Sequence, residues 1–213
     1  MNKKILKAII VATVLTILPV LGNIEMLYGA QVWILFALGA FGSILQPDYS
    51  FSRDKAKTRD AGTEALIIWS VFITQIMAVF EAAYLRYPES ITWDTVAVVT
   101  LVIMLVGFAL RFWAIRTLGK YFTMHLDIHD DHKVICSGPY KYFRHPSYVG
   151  AFLTYMGTSI FLHSWISAIV AAIILPIAWI KRMNHEEEML LGNFGKEYED
   201  YCKKTKRFIP GVW

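Results

Sequence analysis

The chain has 213 residues, enough for one domain of ordinary size. Hydrophobic residues make up 56% of it and charged residues 18%, with a mean hydropathy of +0.44. A soluble domain, about one quarter charged, is thereby excluded in favour of an integral membrane protein. The net charge of +4 gives no case for nucleic acid, because the basic residues sit at the ends of apolar segments.

Residues 1–22 place Lys3, Lys4 and Lys7 before an apolar run, the layout of a signal peptide. Pro19-Val20-Leu21 makes a poor cleavage site, so a retained first transmembrane helix is expected. Residues 26–45 form a second span, close to the ~20 residues a bilayer requires, and Gln46-Pro47 ends it. A polar loop over 48–64 carries Arg53, Asp54, Lys55, Lys57, Arg59 and Asp60. The third span, 65–85, has Glu81 near its outer end; the fourth, 95–110, is open to continuation past Arg111 toward Leu118. Spans 148–162 and 165–180 make a tight hairpin joined at His163-Ser164.

From Lys181 to Tyr201 the chain turns charged but keeps Met189, Leu190, Phe194, Tyr198 and Tyr201 at helical spacing. That pattern predicts an amphipathic cytoplasmic helix interrupted at Gly192 or Gly195. Lys203-Lys204-Thr205-Lys206-Arg207 is a basic tail suited to anionic headgroups. The expected fold is all-α and polytopic, with about six transmembrane helices. An N-terminal two-helix segment with its loop (1–64) precedes a core (65–213) within one domain. Of the 21 Lys and Arg residues, only Arg86 falls in an outer loop of this layout. The positive-inside rule then puts both termini in the cytoplasm. Cys136 and Cys202 fall on the same side and are expected to be reduced thiols.

Three polar stretches are candidates for chemistry. In Gly138-Pro139-Tyr140-Lys141-Tyr142-Phe143-Arg144-His145-Pro146-Ser147-Tyr148, the Gly-Pro pair reads as a turn. Pro146 there suits the first turn of the helix that follows. A charged loop that only sets topology is the bland alternative. Arg182, Asn184, His185, Glu186, Glu187 and Glu188 follow the last span, and Arg182 and Glu186 share a helix face. A solvated ion pair is the alternative there. The hairpin brings both stretches to one side of the membrane, so they can meet. His125, His129 and His132 have helical metal-ligand spacing, but too few histidines accompany them for a di-iron oxygenase. No Gly-x-Gly-x-x-Gly or P-loop is present.

The ordered set Gly138-Pro139-Tyr140, Arg144-His145-Pro146-Ser147-Tyr148, Arg182 with Glu186-Glu187, and Phe194-Gly195-Lys196-Glu197-Tyr198 through Phe208-Ile209-Pro210 resembles the isoprenylcysteine carboxyl methyltransferases and their bacterial relatives. The likeness runs from about Leu118 to Trp213; 59–63 is similar to a bacterial Arg-Asp-Arg-Gly-Ser/Thr segment, with Ala61 in place of the second arginine. The resemblance implies a polytopic methyltransferase using S-adenosyl-L-methionine, without a Rossmann fold and without metal. It implies that Gly138, Tyr140, His145, Tyr148 and Glu187 enclose the cofactor. Arg144 and Arg182, with Glu186 orienting Arg182, would serve a lipophilic substrate's carboxylate.

Methyl transfer from a sulfonium to a carboxylate needs alignment and no general base. A phospholipid amine acceptor would need a base, for which His145, His185 or a glutamate is available. The remaining alternatives are a non-enzymatic membrane scaffold and a metal-dependent lipid oxygenase.

Overall fold

The structure is a computed structural model and describes residues 3–46, 62–122 and 133–208. Its helices are α1 (Lys3–Ala12), α2 (Ala30–Leu45), α3 (Thr63–Tyr84), α4 (Thr95–Leu118), α5 (Pro146–Phe161), α6 (Trp165–Phe194) and α7 (Lys196–Lys204), with short 3₁₀ turns between them. Among the described residues only one isolated bridge, between Phe143 and Lys206, has strand-like pairing.

Three helices, α3, α4 with its extension to Tyr121, and α6, are long and apolar enough to cross a membrane; α2 is apolar but has 16 residues. The expected first crossing is an interrupted run. α1 widens into a π turn at Thr13–Ile17, and Pro19, which has no N–H to continue the ladder, sits in a 3₁₀ turn at Leu18–Val20.

The helix ends explain two acidic residues that flank apolar helices. Asp94 caps α4, its carboxylate accepting the Ala97 N–H at 2.8 Å, and it also meets His163 Nε2 at 3.1 Å. Glu81, near the end of α3, is 4% exposed. Its carboxylate accepts from the N–H groups of Ile166 (3.1 Å) and Ser167 (2.7 Å) and from Ser167 Oγ (2.7 Å). An anion is thus set against the otherwise unsatisfied N–H groups at the start of α6, which fastens α3 to α6.

α4 and α5 pack backbone to backbone. A Cβ on Gly107 would lie 2.6 Å from Leu153 Cβ and 2.8 Å from the Gly150 carbonyl oxygen, and one on Gly150 would strike the Gly107 carbonyl. Small residues permit this approach in an apolar medium, where close packing replaces the hydrophobic drive. One buried core gathers Val20, Met26, Val79, Ala82, Phe161 and Leu162, and a second gathers Ala151, Ala171, Leu175, Ala178, Trp179 and Met183.

The separate amphipathic helix expected from Lys181 is instead the continuation of α6, a single helix of 30 residues. At 1.5 Å per residue it runs for ~45 Å, well past a ~30 Å hydrocarbon core. Nothing between Ile180 and Leu191 breaks it, and Gly192 stays helical in open space. The break comes at Gly195, whose φ of 52° favours glycine. Beyond α7 the chain returns to the start of α5, where the N–H groups of Arg144 and His145 donate to the carbonyls of Lys206 (2.8 Å) and Arg207 (3.1 Å).

Candidate active site

The turn ahead of α5 is built by its own sequence. Gly138 takes φ 57°, and Pro139 occupies the first turn of the 3₁₀ segment Gly138–Lys141. A Cβ on Gly138 would come within 2.8 Å of Thr117 Oγ1, so glycine also lets the turn sit against α4. Pro146 then opens α5. Arg144, His145 and Tyr148 are thereby presented to the polar extension of α6.

The two polar stretches meet there. Arg144 Nε donates to Glu187 at 2.7 Å, and His145 Nε2 lies 3.0 Å from the same carboxylate oxygen. His145 Nδ1 lies 3.5 Å from Glu186 Oε2. The Tyr148 hydroxyl donates to Glu186 at 2.6 Å and Arg182 Nε does so at 3.0 Å. Arg182 is 3% exposed and also donates to Thr63 Oγ1 at 3.2 Å. Arg207, from the returning C-terminal segment, reaches the second oxygen of Glu187 with Nε (2.8 Å) and Nη2 (2.6 Å), and Asn184 with Nη1 (2.8 Å). Two carboxylates are thus shared among three guanidiniums and an imidazole. Burial disfavours a charged imidazole, but the hydrogen bonds and charges of Glu186 and Glu187 outweigh it and raise the His145 pKa above its ordinary value. Burial likewise opposes the Arg144 charge and is outweighed by Glu187.

A cavity of about 210 Å³ opens beside this network. Tyr140, Arg144, His145, Tyr148, Arg182 and Glu186 line it. Glu187 is not among the lining residues but is bonded to two that are, Arg144 and His145; Gly138 shapes the turn beneath Tyr140. Arg144 Nη1 donates to the carbonyls of Cys202 and Thr205, so this side chain clamps the C-terminal segment while it borders the cavity.

Arg111, read above only as a place where the fourth span could continue, proves to be in the same cavity wall. Its Nη1 donates to Ser147 at both the carbonyl and Oγ (3.0 Å each), while its Nε is buried without a partner among the described residues. An arginine inside an apolar helix is itself a signal of function, and that signal was available in the sequence.

A second, mainly apolar cavity of about 120 Å³ lies between α1, α2, α3, α4 and α5. The two cavities share Gln46, Val71, Phe72, Arg111, Ala151 and Tyr155. The His125, His129 and His132 reading, and most of the 59–63 segment, fall outside the described residues. Among the described residues no group of three or more His, Cys, Asp or Glu side chains is gathered as for a metal.

Residues 98–192 match the model of the isoprenylcysteine carboxyl methyltransferase (ICMT) family. The chain is 35% identical over 130 residues to a probable protein-S-isoprenylcysteine O-methyltransferase of Oryza sativa subsp. indica, covering 60% of this chain and 68% of that one. The Homo sapiens protein-S-isoprenylcysteine O-methyltransferase is 34% identical over 130 residues, 59% of this chain and 45% of its own length. A solved eukaryotic intramembrane Ras methyltransferase, also an isoprenylcysteine carboxyl methyltransferase, shares the fold with a TM-score of 0.58 over 98% of this chain and 74% of that one, at 23% identity. Helices built to cross a bilayer, two polar stretches closed on one cavity and these likenesses agree, and the chain belongs to the isoprenylcysteine carboxyl methyltransferase family of integral membrane methyltransferases.

Proposed function

We propose that the protein transfers a methyl group from S-adenosyl-L-methionine to the carboxylate of a lipophilic, isoprenylcysteine-like acid. The observation that carries this reading is the junction of the cavities. A chamber bordered by Arg111, Arg144 and Arg182 lies against a more apolar chamber among the helices, and Arg111 belongs to the lining of both. Such a shape suits a molecule with an anionic head and a hydrocarbon tail.

The side chains fit the cofactor's chemistry. Arginines suit its carboxylate, Glu186 its ammonium, and the rings of Tyr121, Phe122, Tyr140 and Tyr148 its adenine or its cation. S-adenosylmethionine supplies, when bound, a methyl group on a sulfonium. The protein's task is then to bind, align and exclude water. Arg182, steered by Glu186 and Thr63, and Arg111, braced on Ser147, hold the acceptor carboxylate by charge-assisted hydrogen bonds. Arg144, with Nε and Nη1 committed to Glu187 and to backbone carbonyls, holds the wall in place. His145 meets carboxylates at both ring nitrogens and is held toward its cationic form, which leaves it poorly suited to take a proton from an amine. That favours an acid, already ionised at neutral pH, over a lipid amine. The tail enters the second chamber from the lipid. By the distribution of Lys and Arg, the polar chamber faces the cytoplasm.

Purified protein should transfer label from methyl-labelled S-adenosylmethionine to N-acetyl-S-farnesylcysteine, with the label released by mild base as expected of an ester. Base-stable label on phosphatidylethanolamine, with none on the acid, would overturn this reading in favour of an amine acceptor.

A further inference from the structure

The apolar chamber has polar groups in its wall that nothing in the mechanism above uses, Gln75 among them. Gln75, on α3, is 7% exposed and lines that chamber. Its Nε2 donates to the Tyr155 carbonyl at 3.1 Å, which fixes the orientation of the amide. Its Oε1 has no hydrogen-bond partner among the described residues. No hydroxyl that lines the chamber donates to it among the described residues. Thr16 donates to Ala12 (2.7 Å), Ser43 to Gly39 (2.9 Å), Thr154 to Gly150 (2.9 Å) and Thr158 to Thr154 (3.1 Å), each to a carbonyl of its own helix. The polar atoms these side chains turn to the chamber are therefore acceptors. A bare hydrocarbon packed against Gln75 would bury a carbonyl oxygen with nothing to bond, which is unfavourable in an apolar medium. Gln75 lies one helical turn, ~6 Å, beyond Val71, and its partner Tyr155 belongs, like Val71, to the wall common to both chambers. It therefore stands within the apolar chamber, about one turn of α3 from the wall shared with the first.

Taking the proposed carboxylate methylation as its basis, we propose that Gln75 Oε1 accepts a hydrogen bond from an N–H or O–H that the acceptor carries beside its carboxylate. The protein then selects lipophilic acids with such a donor, N-acylated amino acids or hydroxy acids, over acids of the same shape without one. Gln75 is in this sense a specificity-determining residue.

Three acids with one farnesylthio tail separate the possibilities: N-acetyl-S-farnesylcysteine, with an amide N–H; its 2-hydroxy counterpart, with an O–H; and the 2-acetoxy isostere, with neither. Steady-state rates on purified protein should show kcat/KM about tenfold higher for whichever donor-bearing acid reaches Gln75 than for the acetoxy acid, expressed mainly in KM. In Gln75→Met, and in Gln75→Leu as a second variant, that ratio should fall to about one. S-adenosylhomocysteine should raise the Tm of the variants as it does for the wild type, which shows that they are folded. Equal use of all three acids by the wild type would overturn the inference, as would a preference that survives in either folded variant. Preference for the amide alone, or the hydroxyl alone, identifies the donor. Failure of the wild type to methylate any of the three would reject the carboxylate reading itself, and the inference with it.

Discussion

Arg182 is buried at the centre of the polar network, with Nε on Glu186 and Nη1 on Thr63. If it aligns the acceptor carboxylate, Arg182→Ala should lower kcat/KM roughly 100-fold or more, as loss of a charge-stabilising donor does elsewhere. The thermal shift given by S-adenosylhomocysteine reports whether the variant is folded, and undiminished turnover would remove Arg182 from the mechanism. His145 carries a different signature. Its folded pKa is raised because contact with Glu186 and Glu187 outweighs burial. Its stabilisation is therefore fully present below about 6.5, the unfolded imidazole value, and is lost as pH climbs through the folded pKa. The Tm of the solubilised protein should fall as pH is raised through that window, and His145→Gln should flatten that part of the profile. A slope unchanged in the variant would assign the effect to another group.

The helices earn their arrangement at their ends. Glu81 fastens α3 to the first turn of α6 through two N–H groups and the Ser167 hydroxyl. Glu81→Gln keeps the shape of the side chain but removes the charge facing the helix dipole. It should lower stability by about 1–2 kcal/mol and leave KM for the acceptor unchanged, because the cap at Ser167 lies roughly 22 Å along α6 from Arg182. A denaturant titration beside the transfer assay checks both halves of that expectation. The same element shows where reading by composition goes astray. The change from apolar to charged at Lys181 alters what surrounds α6 and not its backbone, so the helix runs on to Phe194. Only Gly195, with a backbone conformation other residues avoid, ends it. This continuity holds Arg182, Glu186 and Glu187 in rigid register with Trp179 and the core below.

For the whole molecule, the site is closed by segments far apart in the chain. Thr63 comes from α3, Arg111 from α4, Tyr148 from α5, Arg182 from α6 and Arg207 from beyond α7. A ligand in their midst should stabilise the assembly as one body. S-adenosylhomocysteine at about 100 times its Kd should add about 2.7 kcal/mol, visible as one cooperative rise in Tm. No shift at saturating ligand would argue against a cofactor site in this cavity.

Composition and periodicity by themselves determined that the chain lives in a membrane, and where its long helices begin. Local chemistry did the same for the turns, since Gly138-Pro139 and His145-Pro146 restrict their own backbones whatever surrounds them. The pairing of Arg182 with Glu186 was likewise legible, because four residues along one helix is a fixed geometry. Which distant charges meet was not. Arg144 meets Glu187 and the C-terminal carbonyls because α5 and α6 fold back on each other and the tail returns between them. Arg111 and Gln75 come to line a cavity only when α4 and α3 close around a common space. Period and propensity act over a turn or two of chain; the contacts that make a chamber join residues 36 to 119 positions apart, and only packing decides them.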